Sequence, residues 1–234
     1  MPNGKIITRS MLQDAAQYSK AEITWDKQAL FDIEGILGGA TAIPPLTYFS
    51  KPIGQQYTVA AAAVTKTAQD TNMRESGQIG SNRLFILQGF YVQIKGLLRE
   101  AATTLTATAL HDLKLIYEYG LFEFSLAGGR GRVCVPLAEI GCGMGLVSEV
   151  GTAYAFGGLG DTNMSIRVPS NGVPGPDNIY RYVIGANPKD PGVLEGDMNF
   201  TVKISFPVAL SGNITNTGLS AKVFMDGMLG SIAQ

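Results

Sequence analysis

The segment NFTVKISFPVAL, residues 199–210, alternates apolar and polar side chains almost without a break. Phe200, Val202, Ile204, Phe206, Val208 and Leu210 share one face of an extended chain, and Thr201, Lys203, Ser205, Pro207 and Ala209 share the other. Successive strand side chains point to opposite faces, so the stretch reads as a half-buried strand with one wet side. Pro207 has no amide to donate, which places it at a sheet edge, a bulge or a strand end. A chain with this segment needs a β architecture around a one-sided core.

Other segments carry the same signal. RLFILQGFYVQIKG is a nearly continuous apolar run rich in aromatic and branched residues, which predicts a central strand covered on both faces. Gly89 in its middle predicts a bulge or a close backbone approach. LFEFSLAGGRGRVCVPLAEI has the form of a hairpin, two apolar segments around GGRG. NMSIRV and NIYRYVIG are short strands separated by the turn-rich PSNGVPGPD, and LSAKVFMDGML alternates again. AIPPLTYFSKP reads as extended chain, QQYTVAAAAVTKT as a strand or a short buried run, and QDTNMRESGQIGSN as polar loop. Two helices are predicted. One spans about residues 11–19, where Ser10 and Gln13 have capping-box spacing. The other spans about residues 105–118, with Leu110, Leu113, Ile116 and Tyr117 on one face and Gly120 as its C-terminal cap. Many short strands with Gly and Pro turns and no βαβ alternation predict an all-β sandwich or barrel. The 234 residues suit one eight-stranded jelly roll with a mid-chain helix and an N-terminal extension, and are too few for two rolls.

Residue patterns that carry chemistry are scarce. His111 is the only histidine, which excludes histidine triads with a second imidazole, HExxH sites and multi-histidine metal centres. It lies beside Asp112 on the predicted helix and reads as a helix-surface residue. GCGMG and GGRGR match neither phosphate-loop pattern and read as tight turns. Asp161, Glu195 and Asp197 sit in loops without calcium-loop spacing, and Arg130 and Arg132 are too few for a phosphate patch. Asn163, Asn199 and Asn213 start chance sequons in a chain without an evident secretory h-region. Cys134 in RVCVPL reads as a small core residue and Cys142 as the more exposed thiol; two cysteines make no disulfide framework. No catalytic residue, cofactor or metal is predicted.

Charge points to partners. With 18 Lys+Arg against 19 Asp+Glu, the net charge of -1 gives no reason to propose a nucleic-acid groove or sequence-specific nucleic-acid binding. Only 16% of residues are charged, against about 25% in an ordinary domain. A surface this poor in charge has little colloidal protection and predicts cover by other subunits.

QDTNMRESGQIGSNRLFILQGFYVQI, YGLFEFSLAGG, VPLAEIGCGMG and the ending VKISFPVAL…AKVFMDGMLGSIAQ, taken in order, resemble a group of phage and prophage virion proteins of jelly-roll type. The likeness covers roughly residues 70–234. It implies the major capsid protein of a tailless icosahedral bacterial virus, made in the host cytoplasm and found in the virion. The implied partners are copies of the same chain in a lattice. A second minor capsid or vertex protein and an internal membrane stay open. The chain is shorter than double-roll capsid proteins, which favours lattices of single rolls. The alternative is a carbohydrate- or receptor-binding β module of a spike or fibre, with an aromatic platform drawn from Trp25, Tyr154 or Tyr180. An enzyme on a β scaffold is the weakest reading.

Residues 1–40 have the poorest strand pattern, yet hold Trp25, Leu30, Phe31, Ile33, Ile36 and Leu37. Apolar residues outside a core need cover, so this segment is expected to be an arm or peripheral layer contacting neighbouring subunits, with residues 41–234 as the β domain. The C-terminal MLGSIAQ is expected near the sheet edge, with joining the sheet left open.

Overall fold

The computed structural model describes residues 23–36, 43–59, 62–95, 115–126, 133–140, 179–181, 193–206 and 219–232. These residues are mostly strand: β1 (Ile23–Lys27), β2 (Leu30–Ile36), β3 (Leu46–Tyr48), β4 (Gln56–Val59), β5 (Ala62–Thr65), β6 (Arg83–Lys95), β7 (Leu121–Leu126), β8 (Val133–Pro136), β9 (Tyr180–Arg181), β10 (Val193–Glu195), β11 (Phe200–Ser205) and β12 (Leu219–Ile232). Helical residues 115–119 and a short helix Leu137–Ile140 flank the β7–β8 pair. The fold is all-β, and its ladders are antiparallel. Among the described residues no helix is long and apolar enough to cross a membrane.

Two sheets share one core. In the first, β12 lies between β6 on one side and β1 and β2 on the other, while β6 carries β9 and β10 on its far side. The second runs β3-β11-β7-β8, and the β4–β5 hairpin stands apart. β1 and β2 pair with successive stretches of β12, and β9 and β10 with successive stretches of β6, so each sheet has four strand positions among the described residues. Numbered along the chain without the hairpin, the positions nest. The first pairs with the last (β1/β2 with β12), the second with the seventh (β3 with β11), the third with the sixth (β6 with β9/β10), and the fourth with the fifth (β7 with β8).

Alternation decides what faces inward. Phe200, Val202 and Ile204 of β11 are buried, and Lys203 between them is exposed. Phe122, Phe124 and Leu126 of β7 point to the same core, as do Ala221, Val223 and Met225 of β12. Phe90 of β6 joins the sheets, its ring 5.1 Å from that of Phe122 and 5.0 Å from that of Phe124. As its sequence predicts, β6 is covered on both faces in its first half: Leu84, Phe85, Ile86 and Leu87 are all buried. Gly89 satisfies both expectations made for it. The ladder shifts register where Asp226 faces Gly89 and Gly227 faces Leu87, leaving Gln88 as the extra residue. A Cβ on Gly89 would stand 2.6 Å from the Tyr180 carbonyl oxygen.

The GGRG hairpin forms as a β7–β8 ladder, with Phe124 opposite Val133. Ile116 is buried in the core, and Gly120 donates its N–H to the Ile116 carbonyl at 2.9 Å. Gly120 is needed for close approach, since a Cβ there would meet that carbonyl oxygen and the Leu137 side chain. The predicted helix at 11–19, and Leu110, His111, Leu113 and Lys114 of the second helix, lie outside the described residues.

The strand within 199–210 lies inside its sheet: β11 pairs with both β3 and β7, and its bounds close at Ser205, ahead of Pro207, which lies outside the described residues with 208–210. Of the two readings for QQYTVAAAAVTKT the strand holds, since β4 and β5 form a largely exposed antiparallel pair. Two expectations are corrected. Cys134 is exposed rather than in the core, because it falls on the outward phase of β8, with Sγ 3.8 Å from Oε1 of Glu123. The first and last described segments are not peripheral. Residues 219–232 form the strand at the heart of the first sheet, and residues 23–36, drawn as part of an arm ending at residue 40, supply both strands on its flank.

That placement makes deletion of residues 1–37 a test of the fold. It removes Leu30, Ile33 and Ile36, each buried and contributing about 1.5–3 kcal/mol, and strips the ladder from one side of β12. A domain holds only about 5–15 kcal/mol in total, so the truncated chain is expected to lose its cooperative denaturant transition, read by circular dichroism. A truncated chain that unfolds at the wild-type midpoint would return these residues to the role of an arm.

Candidate functional site

Strand β2 reads LFDIEGI, and both of its faces are covered. Leu30 and Ile36 enter the core, and Asp32 and Glu34 share their phase on the strand. The two acids are therefore carried inward, to 0% and 5% exposure. Opposite them stands Lys66, 1% exposed, just beyond the end of β5. Its Nζ donates to Oδ1 of Asp32 at 2.6 Å and to Oε1 of Glu34 at 2.9 Å. Lys51, at the rim and 38% exposed, donates to the other Glu34 oxygen, Oε2, at 3.1 Å.

The hairpin positions the lysine. The Lys66 N–H donates to the Gln55 carbonyl at 2.8 Å, and its own carbonyl accepts the Gly54 N–H at 2.9 Å. Gly54 takes φ +91, the left-handed region that glycine enters without strain. On the other side, Oδ2 of Asp32 accepts the N–H of Phe49. Phe49 has φ 62, a conformation uncommon for a bulky residue, and its fully buried ring packs 5.4 Å from that of Phe200. Tyr57 closes the cluster, with Nζ of Lys66 5.6 Å from its ring centroid.

Two titrations are displaced. Burial raises the Asp32 carboxyl above its ordinary range, against the pull of the Lys66 charge and of hydrogen bonds from Lys66 and Phe49. Burial, followed by the charges of Glu34 and Asp32, pushes the Tyr48 phenol well above its usual value. The Tyr48 hydroxyl is buried without a hydrogen-bond partner. Ions removed from water cost several kcal/mol each, and an attractive pair repays that only with good geometry and further hydrogen bonds. This cluster holds an amine between two acids in a dry pocket, an arrangement suited to proton sharing and to chemistry at the carboxyl carbon.

The residues expected at subunit interfaces fall elsewhere. Leu30, Ile33 and Ile36 are buried within their own chain and have little to present to a neighbour. Trp25 packs against Leu84, its ring over Gly230. Phe31 lies on the outer face of the first sheet, its ring 5.8 Å from that of Phe224 and 3.8 Å from Nζ of Lys222, which donates to the Gln69 carbonyl. Trp25 and Phe31 keep partial exposure; Leu37 lies outside the described residues. Of the proposed aromatic platform, Trp25 and Tyr180 are half-buried, Tyr180 against the core, and Tyr154 is outside the described residues. Glu195 is half-buried, Asp197 is exposed, and exposed Asn199 accepts from Gln78 at 2.9 Å. His111, Arg130, Arg132, Cys142, Asp161, Asn163 and Asn213 lie outside the described residues.

Asp32, Glu34, Lys51, Lys66 and Tyr48 were not singled out by sequence. One signal was available: a strand apolar on both phases that also holds two acids must bury those acids, and buried acids need a cation. No family model, curated protein or solved structure matches this chain.

Two lysines serve the same acids from different depths, and their removal is expected to differ. Lys66→Met leaves two buried carboxylates without their shared cation and is expected to cost at least about 3 kcal/mol. Lys51→Met breaks a rim bridge and is expected to cost under about 1 kcal/mol. Urea denaturation of both variants reads the contrast, and equal losses would contradict this assignment of depth.

Proposed function

We propose that this chain is a structural virion protein, a jelly-roll subunit that assembles with copies of itself into an icosahedral shell. The nested strand order carries the reading. First with last, second with seventh, third with sixth and fourth with fifth is the pairing of one long antiparallel hairpin rolled until its two layers face each other. That arrangement supports a jelly roll, an architecture used by capsid subunits and lectins alike. Fold does not fix function; the choice between the two rests on the sequence resemblance. Two stretches that carry it, within 70–95 and 219–234, include β6 and β12, neighbours along most of their length.

Low surface charge fits a subunit whose faces meet other copies, since stable obligate contacts bury upward of about 2,000 Å². The half-exposed rings of Trp25 and Phe31 remain contact candidates on the first sheet. Under this reading the cytoplasm is the place of synthesis, the virion the destination, and self-association the activity. Electron microscopy of the purified chain is expected to show closed shells or extended sheets. Discrete small oligomers that bind glycans would overturn the shell reading in favour of a spike or fibre module.

A further inference from the structure

Lys66, Asp32 and Glu34 are placed to do more than share charge. The 2.6 Å contact from Nζ to Oδ1 leaves the Asp32 carboxyl carbon about one bond further away, close to the roughly 3–3.5 Å of a near-attack arrangement. The Lys66 and Asp32 side chains are fully shut off from water, and that of Glu34 is 7% exposed. The lysine backbone is held on both sides by Gln55 and Gly54, which fixes the base of its side chain. The Tyr48 hydroxyl, buried without a partner, lies within the electrostatic reach of Glu34 and Asp32.

We propose that Lys66 and Asp32 condense to an intramolecular amide, an isopeptide crosslink tying β2 to the foot of the β4–β5 hairpin, with Glu34 carrying the proton. The ion pair first passes a proton from Nζ to Oδ1, giving a neutral amine and a neutral acid, the form of Asp32 that its burial favours. The Nζ lone pair attacks Cγ and forms the C–N bond, while the carbonyl electrons move onto Oδ2. That oxygen already accepts the Phe49 N–H, a donor fixed where negative charge develops. Glu34, 2.9 Å from Nζ, takes a second proton from the nitrogen and delivers it to Oδ1. The Cγ–Oδ1 bond breaks, Oδ1 leaves as water, and the carbonyl re-forms at Oδ2. One amide and one water result, Glu34 is again a carboxylate, and nothing is oxidised or reduced.

Two physical terms favour the step. Fixed juxtaposition supplies effective molarities of about 10⁵–10⁸ M in well-oriented intramolecular reactions. Condensation also replaces two buried charges by one neutral amide and so removes their desolvation cost. Charge stays balanced afterwards, because Glu34 retains Lys51. The proposal is independent of the shell reading, since it concerns the folded subunit alone.

Mass spectrometry of the purified full-length chain under denaturing conditions tests it. The chain is expected one water lighter than its sequence. Asp32 and Lys66 share one tryptic peptide, because Lys51 precedes Pro52, so a digest with trypsin and then chymotrypsin, which cuts between them at Tyr48, Phe49 and Tyr57, is expected to yield one branched peptide joining the Lys66 and Asp32 segments, with no cleavage after Lys66. Lys66→Arg is expected to show neither sign. Glu34→Gln is expected to fold and keep the full sequence mass. Should that variant fail to fold, Glu34→Asp, which shortens the reach, is expected to form the link at least tenfold more slowly. Folded wild-type protein without the branched peptide overturns the crosslink; a wild-type rate of linkage in either Glu34 variant removes Glu34 from the step.

Discussion

The structure depends on β12 being paired along both edges. Its fourteen residues run through the middle of the first sheet, with β6 on one side and β1 and β2 on the other. A strand with two partners leaves no unpaired backbone row to satisfy, and its inward phase of Ala221, Val223 and Met225 is placed directly over the core. The segment that closes the far side is the first described stretch of the chain. The ends of the described chain therefore meet, and the remaining strand positions nest inside the loop so formed.

That closure places the ionic cluster. Once β2 is fixed against β12, the alternation that sends Leu30 and Ile36 inward sends Asp32 and Glu34 with them. Two acids in that position demand a cation, and the β4–β5 hairpin, which belongs to neither sheet, delivers Lys66. The cluster thus anchors an outlying hairpin to a strand in the first sheet. The link spans a sequence separation of 34 residues; a covalent amide across a loop of that size stabilises by restricting the unfolded chain, whereas an ion pair acts only in the folded one.

The sequence made much of this legible. Period-two alternation located β11 and β12, the two-sided apolar run located β6, and the glycine turn located the β7–β8 hairpin. These signals are local and survive without knowledge of partners. What stayed hidden depends on pairing. LFDIEGI looked like weak pattern because a strand covered on both phases does not alternate, and its apolar residues were assigned to a neighbour's cover when their own chain supplies it. Pro207 left an edge, a bulge and a strand end open because a proline constrains only its own position; the pairing of β11 on both sides was not legible from it. Lys66 and Lys51 were unreadable, since nothing in their sequence neighbourhood indicates a carboxylate partner.

The central claim is that the first and last described strands lock the fold together as one unit. Amide hydrogen exchange followed by mass spectrometry tests it most directly, because segments that open only with the whole domain exchange at a common, slowest rate. Peptides covering residues 30–36 and residues 221–225 are predicted to exchange together in that slowest class. Exchange of 30–36 many times faster than 221–225, in protein that is otherwise folded, would contradict the account.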